Sequence, residues 1–225
     1  MRLFIYCAGG FGREILDVAR RANAAARRWS AIGFVDDGEG LSGTMTHDCP
    51  IFSFNELCAS GAREDAEFVI GHGEPAVRRI LMGKLHQNGF RLGAVIDPSA
   101  IVSDYAKVAD GVVITSYCSV AVSAKLGRNV ALNTKAILGH DIEIGDNTVI
   151  SSLVNVGGAC LVGEDTYIGM GTSIKEGVRI GREVIIGMGS VVHHDIPDGM
   201  IAMGNPARPI RRNEDKRVFG KKHWR

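Results

Sequence analysis

From Ile96 onward, every sixth residue of the chain is isoleucine, leucine or valine, and the series runs unbroken through 17 positions to Val192. Those three types supply 54 of the 225 residues, so chance does not produce such a run and the period belongs to the fold. Two positions earlier stand small or β-branched residues, among them Ala100, Ala106, Cys118, Ala124, Ala136, Thr148, Cys160, Thr166, Thr172 and Ser190. Directly after the series, glycine recurs at Gly127, Gly139, Gly145, Gly157, Gly163, Gly169, Gly181 and Gly187. Neither the helical period of 3.6 nor the strand period of 2 accounts for six. A short strand followed by a sharp turn does, with the aliphatic side chain inward and the small residue in the corner. Three such units close one triangular coil, and the expected architecture is a hexapeptide-repeat parallel β-helix. Five or six coils stacked at about 4.8 Å would give a prism about 25 Å tall. Cys118 and Cys160 fall on the small-residue column and read as packed core atoms.

The pattern stops after Val192. Asp195-Ile196-Pro197-Asp198-Gly199 and Gly204-Asn205-Pro206-Ala207-Arg208-Pro209 are turn-rich, so the chain is expected to leave the prism there. The segment 211–225 is strongly basic and reads as a solvated end or as a phosphate contact. These features divide the chain into an α/β domain over 1–92, the β-helix over 93–196 and a C-terminal extension over 197–225.

Before the repeat, strands alternate with helices. The apolar run at residues 3–8 ends in Gly9-Gly10-Phe11-Gly12 and is followed by helical periodicity through Ile15, Leu16, Val18, Ala19 and Ala22. A second strand over 31–35 ends at Asp36-Asp37. A third, over 68–71, precedes a helix opened by Pro75, a residue suited to a first helical turn. This order implies a parallel, Rossmann-like sheet that binds ligands at the carboxyl ends of its strands. Gly9 and Gly12 match a G-x-G-x-x-G turn in which Cys7 holds the place of the first glycine, and Asp36 stands where such folds place an acid against a ribose or base. With only some 90 residues before the repeat, one half-site suits a single nucleotide and not a dinucleotide. A tight turn without a ligand is the alternative. His72, between Gly71 and Gly73 at the end of the third strand, is a candidate nucleotide contact.

The residues Gly9-Gly10-Phe11-Gly12-Arg13-Glu14, Phe34-Val35-Asp36-Asp37, Gly139-His140-Asp141-Ile142-Glu143-Ile144-Gly145-Asp146, Gly187-Met188-Gly189-Ser190-Val191-Val192 and Gly204-Asn205-Pro206-Ala207 together carry a resemblance over nearly the whole chain. It resembles the nucleotide-sugar N-acetyltransferases of the left-handed β-helix acyltransferase superfamily, in the branch of the sialic-acid O-acetyltransferase-like and perosamine N-acetyltransferase-like enzymes. The resemblance implies a trimer that acetylates a 4-amino-4,6-dideoxy sugar carried on UDP, dTDP or GDP, for bacterial surface glycans such as O-antigen. It places acetyl-CoA between neighbouring prisms, with no metal. It puts the base on His140 with Asp141 beside it, the nucleotide sugar on Gly9, Gly10, Gly12, Asp36, Asp37 and Asn133, and the donor on Gly158, Met170, Gly187 and Met188. The chemistry suits that assignment, because a sugar ammonium must lose a proton before it attacks a thioester, and an imidazole accepts one near neutral pH. Many relatives carry a second histidine nine residues after the first, toward the acetyl carbonyl. Val149 stands there, which moves the oxyanion role to backbone N–H groups such as that of Gly158. Two rivals stay open: a sugar O-acetyltransferase, and a non-catalytic β-helix subunit that only binds nucleotide.

A formal charge of +1 gives no general attraction to nucleic acid or to an acidic membrane. No run of 18 apolar residues offers a membrane span, and the N-terminus reaches Gly9-Gly10 too early for a signal peptide, so a cytoplasmic location is expected. Five scattered cysteines without a C-x-x-C pair argue for reduced thiols and against a zinc site. His193 and His194 read as exposed or structural, and His47, His72, His86 and His223 show no metal-ligand spacing.

Overall fold

A computed structural model describes residues 1–219. The first part is an α/β sandwich. Its strands β1 (Arg2–Tyr6), β2 (Ala31–Val35), β3 (Met45–Thr46), β4 (Cys49–Phe52), β5 (Ala66–Ile70) and β6 (Arg91–Leu92) lie in the order β3-β4-β2-β1-β5-β6. All pairs are parallel except the β3–β4 hairpin. Helix α1 (Gly10–Ala26) lays Ile15, Leu16, Val18 and Ala19 on one side of the sheet. Helices α2 (Phe54–Ala59) and α3 (Pro75–Gln87) cover the other through Phe54, Leu57 and Leu85, against the Phe4, Phe68 and Phe90 rings. The hairpin and α2 lie in the stretch between the second and third expected strands. Ser53 caps α2 in a capping box with Glu56, a local signal of the S-x-x-E kind.

The repeat forms a left-handed β-helix of two-residue strands, β7 (Val95–Ile96) to β23 (Val191–Val192), each paired in parallel with the strand 18 residues away. The first face of the prism holds Val113–Ile114, Ala131–Leu132 and Val149–Ile150; the second holds Ser119–Val120, Ile137–Leu138 and Asn155–Val156; the third holds Lys125–Leu126, Glu143–Ile144 and Leu161–Val162. The six-residue column from Ile114 to Val192 is buried, while Ile96, Val102 and Val108 in the first coil are partly open. Each fully buried member contributes about 1.5–3 kcal/mol of transfer free energy before chain entropy is counted.

The corners differ from the expectation in one respect. Every sixth residue from Gly111 to Gly189 has φ between 54 and 79°, in the left-handed region. Most of these positions are not glycine: Tyr117, Lys135, Leu153 and Glu183 are among them. The glycines after the aliphatic column answer another need. A Cβ at Gly145 would lie 2.4 Å from the Glu164 nitrogen, and one at Gly163 would lie 2.4 Å from that of Arg182. They are glycine because the next coil's backbone passes over them, not because of their φ.

The expectation that the chain leaves the prism after Val192 is corrected. Ile196 bridges to Ile180 and is buried, and β24 (Met200–Gly204) adds a further parallel rung to the first face before β25 (Ala207–Arg212) folds back antiparallel. Ile201 and Ala202 supply apolar side chains that stack on Ile185 and Ile186 although the six-residue count has lapsed. The basic end is partly docked: the Lys216 ammonium meets the Glu183 carboxylate at 2.6 Å. Residues 220–225, with the basic residues among them and His223, lie outside the described residues.

The α/β domain covers the first face. Val95 and Val113 point outward from that face into the α1 core cluster. Asp97, 2% exposed, accepts hydrogen bonds from the Ser99 N–H and hydroxyl, from Arg21 of α1 and from Ser116. At the corner between the third and first faces, Asn129 and Asn147 are buried. Arg78, fully buried, donates to the Asn129 carbonyl and side chain at 2.7 Å. Burial pulls the Arg78 pKa down to about 9, and carbonyl oxygens alone among its hydrogen-bond partners hold the charge. Arg79 reaches Asp165 and Glu183 of the same corner. Among the described residues, no helix is long and apolar enough to cross a membrane.

Candidate functional site

The glycine turn forms as the sequence suggests, and the structure explains Cys7. That residue takes φ 83°, the backbone conformation for which a glycine is usual, while its N–H bonds the Val35 carbonyl at 2.7 Å. Burial, then the nearby Asp36 charge, pushes its thiol up to about 12, so it stays neutral. Gly12 is obligatory because a Cβ there would lie 1.9 Å from the Cys7 carbonyl oxygen. Gly9 and Gly10 instead face open space at the uncapped start of α1, where first-turn N–H groups favour an anion.

Asp36 and Asp37 are less free than the sequence suggests. Asp36 accepts the Ala8 N–H at 2.8 Å and the Gly38 N–H at 2.9 Å, tying the glycine turn to the loop after β2. Asp37 accepts from the Tyr6 hydroxyl and Lys84 ammonium, both at 2.7 Å, and from the Phe54 N–H. Burial alone would raise the Asp37 pKa, but bonds from Lys84, Tyr6 and Phe54 prevail and hold it below the usual carboxylate range. The same carboxylate, after burial, raises the Tyr6 pKa. Beside them opens a cavity of about 470 Å³ lined by Asp36, Gly38, Ser42, Ser53, Asn55 and Lys84. Lys84 escaped the sequence reading because its partner lies 47 residues away and nothing local marks it.

His140 sits on the corner between the second and third faces. Its Nδ1 lies 2.8 Å from the Asp141 carboxylate, and both side chains are exposed. Adjacent residues reach each other here because Asp141 has φ 56°, which swings its side chain back beside the ring. One coil on, Gly158 passes under the imidazole: a Cβ there would sit 2.6 Å from Nε2. Asn133 lies on the other edge of the second face, and its Oδ1 is buried with no hydrogen-bond partner among the described residues. Met170, Gly187 and Met188 share that edge with Asn133, and both methionines are exposed.

The candidate residues therefore do not converge within one chain. His140, Asp141 and Gly158 occupy one edge of the second face; Asn133, Met170, Gly187 and Met188 occupy the other; the glycine turn lies over the first face, across the prism from His140. Every exposed large apolar side chain of the coils described, from Ile101 and Tyr105 through Tyr117, Val122, Ile137 and Leu153 to Met170 and Met188, falls on the second face or its two edges. The third face shows Lys125, Glu143 and Arg179 to solvent instead. Val149 is 1% exposed on the outer side of the first face, paired with Ala131 and Tyr167, and belongs to neither edge. No group of three or more potential metal-binding side chains exists among the described residues.

Residues 2–85 match the PglD N-terminal domain family, and residues 159–194 match the bacterial transferase hexapeptide (six repeats) family. No curated protein sequence matches the chain significantly. Among solved structures, the acetyltransferase domain of PglB from Neisseria gonorrhoeae, in complex with acetyl coenzyme A, is 31% identical; the match covers 93% of this chain and 98% of that one, with a TM-score of 0.84. WeeI from Acinetobacter baumannii is 27% identical over 93% of this chain and 100% of its own, with a TM-score of 0.84. PerB from Caulobacter crescentus, in complex with CoA and GDP-perosamine, shares the fold at 24% identity, a TM-score of 0.85 and coverage of 94% and 98%. With a PglD-type domain leading into hexapeptide coils and a 31% identical acetyltransferase aligned along nearly its whole length, this chain belongs to the acetyltransferases of the hexapeptide-repeat acyltransferase superfamily.

Proposed function

We propose that the chain transfers the acetyl group of acetyl-CoA to the 4-amino group of a nucleotide-linked 4-amino-4,6-dideoxy sugar, as a homotrimer serving bacterial surface glycan synthesis. The observation that carries the reading is the His140–Asp141 pair seated over Gly158 on the edge of an apolar face. A proton on Nδ1 directed to Asp141 leaves Nε2 as the base. Nε2 takes a proton from the sugar ammonium and the freed amine attacks the thioester carbonyl; as the tetrahedral adduct collapses the imidazolium returns its proton to the departing thiolate, and the second proton of the attacking nitrogen passes to solvent, leaving the neutral amide. Backbone N–H groups, that of Gly158 foremost, stabilise the oxyanion. PerB binding CoA and GDP-perosamine, and the PglB domain binding acetyl coenzyme A, support the same pair of substrates here.

The division of the candidate site between two edges supports the reading as a trimer. An exposed stripe of isoleucine, tyrosine, leucine and methionine needs a partner surface, and a second copy would bring the Asn133–Met188 edge of one prism to the His140 edge of the next. The unpaired Asn133 Oδ1 would then meet an N–H of the substrate or of the neighbour. A nucleotide held at the glycine turn of one chain would present its sugar to a neighbour's His140. The test is thiol release from acetyl-CoA with a panel of amino and hydroxy sugars on UDP, dTDP and GDP. Amino sugars alone should support it; release only with hydroxy sugars would mark an O-acetyltransferase, and none at all a binding subunit. His140→Ala should lower kcat by about 10²–10⁴ with donor affinity unchanged, and a sedimenting monomer at micromolar concentration would refute the shared site.

A further inference from the structure

The mechanism above makes no use of Glu74, a carboxylate only 5% exposed. It stands just before α3, and its two oxygens accept the backbone N–H groups of Val218 at 2.8 Å and Phe219 at 2.7 Å, nearly 150 residues away in the chain. Its own N–H donates to His72 Nδ1 at 3.1 Å. The Phe219 ring lies over Gly73, where a Cβ would be 3.5 Å from it, and edge-on to Tyr167 of the prism, with centroids 5.6 Å apart. Residues 213–219 therefore form a strap from the far end of the prism back to the loop between β5 and α3.

That loop belongs to the nucleotide end of the sheet. A Cβ on Gly71 would lie 2.6 Å from the Gly12 Cα, so the loop is packed on the glycine turn itself. Arg78 grips it from below through the Ile70 carbonyl at 2.7 Å and the His72 carbonyl at 3.1 Å. His72 and Phe219 both line a cavity of about 310 Å³, with Glu74, Val77 and Arg217 also in its walls. Burial first, and then the Arg78 charge, keeps the His72 pKa below the ordinary histidine value, so at neutral pH the ring is uncharged with its proton on Nε2.

We infer that the strap is a positioning element for the acceptor: Val218 and Phe219, acting through Glu74, fix His72 and complete one wall of the nucleotide-sugar pocket. This rests on the acetyltransfer reading given above. Carboxylate capture of two N–H groups is charge-assisted and geometrically exacting, and none of these residues lies on the edges of the second face, where the proposed donor path runs.

The test compares the full-length enzyme with a truncation after Lys216, with Glu74→Gln, and with His72→Ala, each alone and with the truncation combined with His72→Ala. The truncation and Glu74→Gln should each raise KM for the nucleotide sugar about tenfold while kcat and KM for acetyl-CoA stay within about twofold. In the His72→Ala background the truncation should add less than about twofold, since its effect passes through that ring. Unchanged acceptor KM, equal rises for both substrates, or full additivity with His72→Ala would each overturn the inference. Turnover of one nucleotide sugar by the full-length enzyme separates this outcome from failure of the parent reading; if none is turned over, both fall.

Discussion

Replacing Gly158 by alanine tests whether the imidazole acts from the place in which the fold holds it. Gly158 does not occupy the left-handed region, so its backbone accepts alanine, but the new methyl would lie 2.6, 2.7 and 3.0 Å from His140 Nε2, Cε1 and Cδ2. An ordinary contact begins near 3.4 Å, so the ring must retreat by roughly 1 Å. The ring is exposed and swings outward at about 0.5–1.5 kcal/mol for an off-rotamer χ. In a chain of this size that lowers Tm by about 1–6 °C. The chemistry suffers more, since about 1 Å of misplacement costs on the order of 10²-fold in rate. We expect kcat measured by thiol release to fall about 10²-fold with the sedimentation behaviour unchanged. Gly139→Ala is the contrasting control, because its methyl meets the Gly158 nitrogen at 2.6 Å, backbone that cannot swing away. It should lose stability first, by about 1–3 kcal/mol or more. In a His140→Ala background Gly158→Ala should cost nothing further. Retention of more than a third of the rate, or a loss of the same size without His140, would refute the argument.

Three other outcomes follow from the geometry. Asp97, whose burial would raise its pKa but whose bonds to Ser99, Arg21 and Ser116 hold it at about 2, stabilises the folded state above the unfolded carboxylate pKa and loses that contribution as pH falls from about 4 to 2. The contribution is about 2 kcal/mol, so Asp97→Asn should lower stability at pH 7 and flatten the acid limb of urea unfolding; an unchanged acid limb would remove Asp97 from that role. Asp36→Ala releases the Ala8 and Gly38 N–H groups together and should weaken nucleotide-sugar binding at least tenfold, about 1.4 kcal/mol, with acetyl-CoA affinity unchanged by calorimetry; equal losses would indicate unfolding instead. Val149→His puts an imidazole into a site 1% exposed, away from both edges that carry the candidate residues, so it should lower Tm by several degrees and change kcat/KM by less than about tenfold; a hundredfold gain would mean that the natural site lacks an oxyanion donor.

The sequence discloses the prism because inward packing imposes one rule at every sixth position, and the rule survives in Ile114 as in Val192. It does not disclose the corners, since Lys135, Leu153 and Glu183 adopt a left-handed φ that the stacked coils enforce and that no residue type announces. The glycines were visible, but their cause was not: only the coil above Gly145 shows why a Cβ has no room. In the same way, His140 and Asp141 are legible as neighbours, while the turn that brings carboxylate to imidazole is a property of the corner. Asp37 looked like a ligand group because its engagement with Tyr6 and Lys84 depends on contacts across 31 and 47 residues. The strap at Glu74 was hidden for the same reason, since a pairing across 144 residues leaves no periodicity to read.

Because each coil closes after 18 residues, length changes in the prism are quantised, and the two allowed steps have unlike effects. Gain or loss of a whole coil beyond Gly158 lengthens or shortens the column and leaves every remaining side chain on its own face. Loss of a single hexapeptide also preserves the aliphatic column, the corner conformation and the inter-coil hydrogen bonds, but it turns everything downstream by one face. Deleting residues 119–124 would carry His140 from the edge between the second and third faces to the edge between the first and second, its imidazole delivered to the wrong address, and would turn Asn129 away from Arg78 and Asp165 away from Arg79 in the same step.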